Sequence, residues 1–372
     1  MTPKTIHLIA AARPNFMKIA PLYHTLKAQP WCNPVLVHTG QHYDDAMSQA
    51  FLDDLSLPEP DIHLGTGSGT HAQQTGRVME AYEAICMQDM PHMAVVPGDV
   101  NSTLACAITA KKLHIPVAHL EAGLRSGDRS MPEELNRILT DSISDLLLAP
   151  SPDAVDNLLA EGIASESIAF VGNIMIDSFE RLHEQIDSAG CVEKFGLKDT
   201  QYAIATIHRP VNVDTRAPLE AVTTLLRQIA ESIAVVFPIH PRTLSRLQHF
   251  DLLARLSEHA NIRIVSPLGY CDFMNLVSSS HFVITDSGGI QEETTYLGIP
   301  CITLRETTER PITVTQGTNR LANTSSAMAL VKKALREEWT KGTRIELWDG
   351  KTAERTSQRL KQWLLKTQEL DA

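Results

Sequence analysis

Phe282-Val283-Ile284-Thr285-Asp286-Ser287-Gly288-Gly289-Ile290-Gln291-Glu292-Glu293 is the stretch on which the fold class turns. Four residues of strand character run into Ser-Gly-Gly, and a helical pattern follows. Paired glycines let backbone N–H groups approach a phosphate at the positive end of that helix. Glu293, one turn in, would repel a phosphate and suits ribose hydroxyls instead. The same order repeats on both sides. Tyr202–Thr206, 235–238, Ile262–Val265 and 300–304 are short apolar runs, with helical spacing between them, as in 218–232. Before them, a polar helical connection covers 176–198. An earlier series comprises 6–11, 35–39, Met93–Pro97, 117–121, Leu146–Ala149 and 168–171, separated by stretches such as 102–113 and 133–144. Strands alternating with helices mean βαβ units and a parallel sheet. The expected fold is α/β, with two Rossmann-like domains whose parallel sheets flank a central cleft. The divisions are 1–175, 176–350 and a closing helix over 351–372, free to pack back on the N-terminal half.

Composition agrees with this layout. At ~150 residues per domain, 372 residues give two domains. Lys+Arg 33 against Asp+Glu 44 leaves a formal charge of −11, no basic field for nucleic acid or anionic lipid. No run of ~18 apolar residues is present, so no membrane span is expected. The first eight residues enter an apolar strand without a signal-peptide pattern, and a cytoplasmic location is expected. Cys32, Cys86, Cys106, Cys191, Cys271 and Cys301 form no CxxC pair. They indicate no zinc site and no redox motif, and read as buried thiols of a reduced compartment.

In open parallel sheets, ligands collect beyond the carboxyl ends of the strands. After the first strand come Arg13, Pro14 and Lys18. Pro14 suits a first helical position, and Arg13 just before it sits where an anion could also use helix N–H groups. A solvated helix start explains these residues as well. The loop is not GxGxxG and gives no support to a dinucleotide cofactor. Gly98-Asp99 follows Met93–Pro97, and Asp99 is suited to cap the next helix or to move a proton. Glu121 ends an apolar strand, where a carboxylate is costly unless paired or used. Pro132-Glu133-Glu134 opens a helix with two acids, a favourable placement by itself. Three carboxylate clusters on one edge exceed what capping requires, and neighbouring carboxylates can divide acid and base duties. In the second half, His208-Arg209 and His240 follow strands, and the run from Arg305 to Arg310 offers cations to an anion held at Ser287-Gly288-Gly289.

Taken together, these motifs resemble the non-hydrolysing UDP-N-acetylglucosamine 2-epimerases over nearly the whole chain. The resemblance rests on Arg13-Pro14 with Lys18, Gln41-His42, Gly98-Asp99, Glu121-Ala122-Gly123-Leu124-Arg125, Pro132-Glu133-Glu134 with Asn136-Arg137, His208-Arg209, the run from Asp286 to Glu293, and Thr307-Thr308-Glu309-Arg310-Pro311. It implies a GT-B-like architecture with the active site between two Rossmann-like domains, a homodimer, and interconversion of UDP-GlcNAc and UDP-ManNAc. It further implies that UDP is held by Arg13, His208, Phe273, Ser287, Gly288, Gly289, Glu293 and Arg310. Lys18, Asp99, Glu121 and Glu133 would line the chemistry, with His208 beside the leaving group. Many bacterial members bind a second UDP-GlcNAc as an activator. Gln41, His42, Arg209, Glu133 and His240 match that pocket, whereas Asp44 and residues 67–70 lack an expected Gln and Arg. The opening Ala11-Ala12-Arg13-Pro14-Asn15 also departs from the family's Gly-Thr-Arg-Pro-Glu, and His208-Arg209 is followed by Pro210-Val211-Asn212 rather than a second Arg and Glu. The changed opening leaves room for a related sugar, such as a UDP-2,3-diacetamido uronic acid. A GT-B glycosyltransferase is the rival reading: it shares the fold and the UDP grip, but needs an acceptor and no set of acids around C2.

The implied reaction explains the residue types. The C2 hydrogen is not beside a carbonyl, so it becomes removable only as the C1–O bond to UDP breaks. Elimination to a 2-acetamidoglucal and re-addition of UDP after C2 is reprotonated from the opposite face require stabilisation of the leaving diphosphate, for which Arg13, His208, Arg310 and the helix start at Ser287 are suited. They also require at least two proton-moving groups, with Asp99, Glu121 and Glu133 as candidates. No hydride moves, so the reaction calls for neither cofactor nor metal. The expected partner is a UDP-sugar alone, with no nucleic acid and no membrane.

Overall fold

The computed structural model describes residues 2–40, 52 and 54–370, without the side chains of Arg13 and 367–370. The chain forms two compact units, Met1–Arg181 with Glu346–Ala372, and Leu182–Ile345.

The first unit carries strands β1 (Lys4–Ala10), β2 (Cys32–His38), β3 (Ile62–His63), β4 (Met93–Pro97), β5 (Val117–Leu120), β6 (Leu146–Ala149) and β7 (Ile168–Phe170). They lie in the order β3-β2-β1-β4-β5-β6-β7, every neighbouring pair parallel. β4, β5 and β6 are buried at every residue, as strands covered on both faces must be. The direction of winding reverses between β1 and β4. Helices over Arg13–Lys27, Asn101–Lys112 and Pro132–Ile143 follow β1, β4 and β5.

The second unit carries β8 (Tyr202–Thr206), β9 (Ala234–Pro238), β10 (Ile262–Val265), β11 (Phe282–Thr285), β12 (Cys301–Leu304) and β13 (Asn319–Ala322). Their order is β10-β9-β8-β11-β12-β13, again parallel throughout, and the reversal falls between β8 and β11. Val235, Phe237, Phe282, Ile284 and Ile302 form its core with Leu225, Leu226 and Ile229 of the helix Arg216–Ala230.

Several elements depart from the sequence expectation. β3, β13 and the helix His71–Gln88 are additional. The connection over 176–198 is three helices, Ile174–Arg181, His183–Ser188 and Cys191–Lys194, the last entered through Gly190 at φ +65°. β5 stops at Leu120, so Glu121 leaves the strand rather than ending it. Five cysteines are buried, but Cys271 is partly exposed. The final helix, Thr352–Leu370, belongs to the first unit. The Asp177 carboxylate accepts the N–H groups of Thr352 and Ala353 at 3.0 and 2.8 Å, so its start is capped from the helix Ile174–Arg181. Trp348 donates its indole N–H to the Pro150 carbonyl at 3.0 Å, and the Arg355 guanidinium donates to the Val171 carbonyl at 2.6 Å.

Candidate active site

Each sheet reverses its winding once, and the residues beyond the carboxyl ends of the strands there are the natural place for a ligand. In the first unit these ends belong to β1, β4 and β5.

Lys18, on the helix after β1, forms an ion pair with Glu121, just past β5. Both are buried, and Glu121 Oε1 is a buried oxygen with no hydrogen-bond partner. Glu121 stands at φ +72°, a conformation that an L side chain adopts only when the surroundings impose it. Gly98, past β4, has φ +66°, and a Cβ there would lie 2.9 Å from Lys18 Nζ and 3.7 Å from Glu121 Oε2. Glycine is therefore required for the β4 turn to wrap this pair. Asn15 completes the group: its carboxamide donates to the Pro97 carbonyl at 3.3 Å and accepts the Ala12 N–H at 3.1 Å.

Asp99 does not cap the next helix, whose N-cap is Val100 with no side-chain bond. Its carboxylate pairs with Arg137, and its backbone carbonyl accepts from Asn136 at 2.9 Å. Arg137 is buried and also binds Glu134 at 2.5 Å. Glu134 in turn accepts the N–H groups of Ser126 and Gly127 at 3.0 and 2.8 Å. Burial opposes ionisation of Glu134, yet these donors and Arg137 hold it below the usual carboxylate range. The two acids of that helix therefore differ: Glu134 is a fixed structural partner, whereas Glu133 stands exposed.

In the second unit, Asp286 organises the ends of β8 and β11. Fully buried, it accepts the N–H groups of His208 and Arg209 at 3.0 and 2.8 Å and the Asn212 side chain at 2.9 Å. His208 Nδ1 lies 3.2 Å from Asp286 Oδ1, an arrangement that favours the proton on Nδ1. Burial lowers the His208 pKa, with His240 and Arg209 acting in the same direction and Asp286 against them. The His208 and His240 rings lie 5.3 Å apart. His240 Nδ1 accepts the Arg242 N–H at 3.1 Å, which caps the helix Pro241–His249.

Ser287 and Gly288 lead into the helix Gly289–Leu297. A Cβ on Gly288 would lie 2.5 Å from Glu309 Oε1 and 2.9 Å from Arg310 Nη1, while one on Gly289 would meet nothing within 4 Å. The Arg310 guanidinium thus lies against the turn, held by Glu292 at 2.8 Å and Glu309 at 2.7 Å. Glu309 also pairs with Arg305 at 2.8 Å. Glu293 is buried and accepts the Tyr270 hydroxyl at 2.9 Å. Burial, reinforced by Glu292, pushes its carboxyl up to about 7 against the pull of Tyr270 and Arg310. Phe273 is half-buried on the helix Tyr270–Ser278.

Gln41, His42 and Asp44 lie outside the described residues, as does the Arg13 side chain. Residues 67–70 lead into the helix His71–Gln88, which Thr70 caps through a reciprocal bond with Gln73. Among the described residues, no three or more His, Cys, Asp or Glu side chains gather as a metal site would need, and no helix is long and apolar enough to cross a membrane.

A family model described as UDP-N-acetylglucosamine 2-epimerase matches residues 24–361. The chain belongs to this family. It is accordingly an epimerase, an enzyme of the isomerase class. It is 38% identical to the UDP-N-acetylglucosamine 2-epimerase of Methanocaldococcus jannaschii over 94% of this chain and 97% of that one. The crystal structure of that epimerase with UDP-GlcNAc and UDP matches at a TM-score of 0.87, covering 96% of this chain and 99% of that one. The UDP-2,3-diacetamido-2,3-dideoxy-D-glucuronate 2-epimerase of Pseudomonas aeruginosa is 40% identical, over 86% of this chain and 88% of that one. A glycosyltransferase of kitacinnamycin, 12% identical with a TM-score of 0.55 over 98% of this chain and 96% of that one, shares the fold. This epimerase is thus GT-B-like, with two Rossmann-like units.

Proposed function

We propose that the enzyme interconverts UDP-GlcNAc and UDP-ManNAc, and that it works without hydride transfer. The observation that carries this reading is the group Lys18, Glu121, Gly98 and Asp99 at the first unit's switch point, in a chain of this family. The C1–O bond breaks with its electron pair leaving on UDP. A carboxylate takes the C2 proton, and the C2–H electrons form the C1=C2 bond of a 2-acetamidoglucal. Proton return to the other face of C2 and re-addition of UDP complete the epimerisation. Asp99, Glu121 and Glu133 are the candidate proton carriers, with Lys18 positioning Glu121. On the second unit, the helix start at Ser287, Gly288 and Gly289, with Arg310 and His208, stabilises the charge that grows on the leaving diphosphate. Phe273 and Glu293 hold the nucleoside, and Arg13 supplies a further cation.

The enzyme acts as a cytoplasmic homodimer in this reading and feeds surface polysaccharide synthesis. Gln41, His42, Arg209 and His240 are its candidate activator-binding residues. The Pseudomonas aeruginosa relative, at 40% identity, favours a second substrate reading, a UDP-2,3-diacetamido uronic acid. Incubation with each UDP-sugar in D2O, followed by NMR at C1 and C2, tests both. The expected product is the C2 epimer, still linked to UDP and carrying one solvent deuteron at C2. Epimer without deuterium overturns the elimination, and free sugar with UDP marks a hydrolase.

A further inference from the structure

His119 lies in β5 with no solvent exposure, two residues before Glu121. Its Nε2 is 2.7 Å from the Gly98 carbonyl oxygen, and its Nδ1 is 2.5 Å from Asp141 Oδ1. A carbonyl oxygen only accepts, so Nε2 must donate. Asp141 Oδ2 accepts the Gly123 N–H at 3.0 Å and faces Arg125 Nη1 at 2.7 Å. Burial alone would raise the Asp141 carboxyl, but His119 and Arg125 beside it bring it below its ordinary value. His119 Nδ1 and Asp141 Oδ1 share the second hydrogen bond of the ring. Arg125 is balanced in turn by Glu161, through two bonds of 2.7 Å. Buried charge is tolerated where opposite charges pair with it, as Arg125 does with Asp141 and Glu161.

The two ends of this clamp are the informative part. One end holds the carbonyl of Gly98, the residue that wraps Lys18 and precedes Asp99. The other, through Asp141, holds the N–H of Gly123, two residues beyond Glu121. The turn carrying Asp99 and the segment carrying Glu121 in its left-handed conformation are thereby tied to one buried ring.

We propose that His119, clamped between the Gly98 carbonyl and Asp141, is a positioning residue that fixes Asp99, Glu121 and Lys18 relative to one another. This rests on the reading of Asp99 and Glu121 as the proton-moving groups. The ring's bond to the Gly98 carbonyl, however, can be measured whether or not that reading holds.

Two measurements on the full chain test it. In 15N-histidine-labelled wild-type enzyme at neutral pH, with the signal assigned by its loss in His119→Asn, Nε2 should show the protonated type of shift, as its bond to the Gly98 carbonyl requires. An Nε2 without a proton overturns the proposal. In kinetics with UDP-GlcNAc, His119→Asn and Asp141→Asn should each lower kcat by about 10- to 100-fold. KM and the calorimetric affinity for UDP should stay within about threefold. The double variant should lose no more than the worse single one, because both cut the same clamp. Folded variants with wild-type kcat, or losses that multiply, overturn the positioning role. Wild-type enzyme that turns over no UDP-sugar would sink the functional reading and leave the nitrogen signature to decide the clamp.

Discussion

Gly98→Ala separates backbone strain from site geometry. At φ +66° an L residue loses about 1–2 kcal/mol relative to its preferred regions, partly offset by the lower freedom of the unfolded chain. The added Cβ would also stand 2.9 Å from Lys18 Nζ. Because Nζ ends a flexible side chain, it can yield, and reaching ordinary contact takes roughly 0.5–1 Å. That small shift adds little to the stability loss. It does push the ammonium sideways from its place beside Glu121, and a displacement of ~1 Å at reacting groups lowers rates about 10²-fold. Gly162→Ala is the control: φ there is +85°, and an added Cβ meets nothing within 4 Å. Both variants should lose about 1 kcal/mol in urea unfolding. Only Gly98→Ala should lose about 10²-fold in kcat, with UDP affinity by calorimetry unchanged. Equal turnover in the two variants would refute the claim that Gly98 exists to let Lys18 and Glu121 meet.

Asp99→Asn and Glu121→Gln should each lower kcat by about 10²-fold or more while UDP binding persists; near-normal turnover in both would make these carboxylates network partners only. Arg310→Ala should weaken UDP binding and destabilise the fold, since it leaves Glu292 and Glu309 buried without their shared cation, and Arg310→Lys should recover part of each loss in calorimetry and urea unfolding. Glu293 has its carboxyl raised from 4.5 to about 7, so its stabilising contribution is complete below pH 4.5 and is lost as pH rises through about 7. Between about pH 5 and pH 8 the wild-type urea midpoint should therefore fall relative to that of Glu293→Gln, by up to about 3 kcal/mol in free energy, and parallel profiles would count against the raised value.

The strands that form the middle of each sheet were legible because burial on both faces makes them continuous apolar runs. β3 has only two residues, and the edge strand β13 carries Asn319 and Arg320. Neither presents such a run. The helix His71–Gln88 buries a single stripe, Gln74, Val78, Tyr82 and Cys86, too narrow to stand out among its polar residues. Its readable signal was Thr70 with Gln73, a capping box. At the site, sequence order marks the residues that follow strands, so Lys18, Asp99, Glu121 and His208 could be singled out. The groups that hold them could not. Arg137 is 38 residues from Asp99, and Asp286 is 78 from His208, and nothing local ties either pair. Glu133 and Glu134 are adjacent and chemically alike, and only helix phase decides that one is exposed and the other buried.

Topology places one further contrast on the same footing. In both units the fourth strand in sequence lies beside the first, and a helix follows it: β4 leads to Asn101–Lys112, β11 to Gly289–Leu297. After β4 the order is glycine then acid, Gly98-Asp99, and the carboxylate stands two residues before the helix with Arg137 as its partner. An anion at that helix start would meet Asp99, while the glycine is taken up in closing over Lys18. After β11 the acid comes first. Asp286 is buried and saturated by the N–H groups of His208 and Arg209, so its charge is directed away from the helix start. The Ser287 N–H is taken by the Thr285 hydroxyl at 2.9 Å, Gly288 and Gly289 follow at the helix start, and Arg310 lies against Gly288. In the proposed reaction, exchanging the order of an acid and a glycine at equivalent strand ends would suit one edge to moving protons and the other to holding a diphosphate.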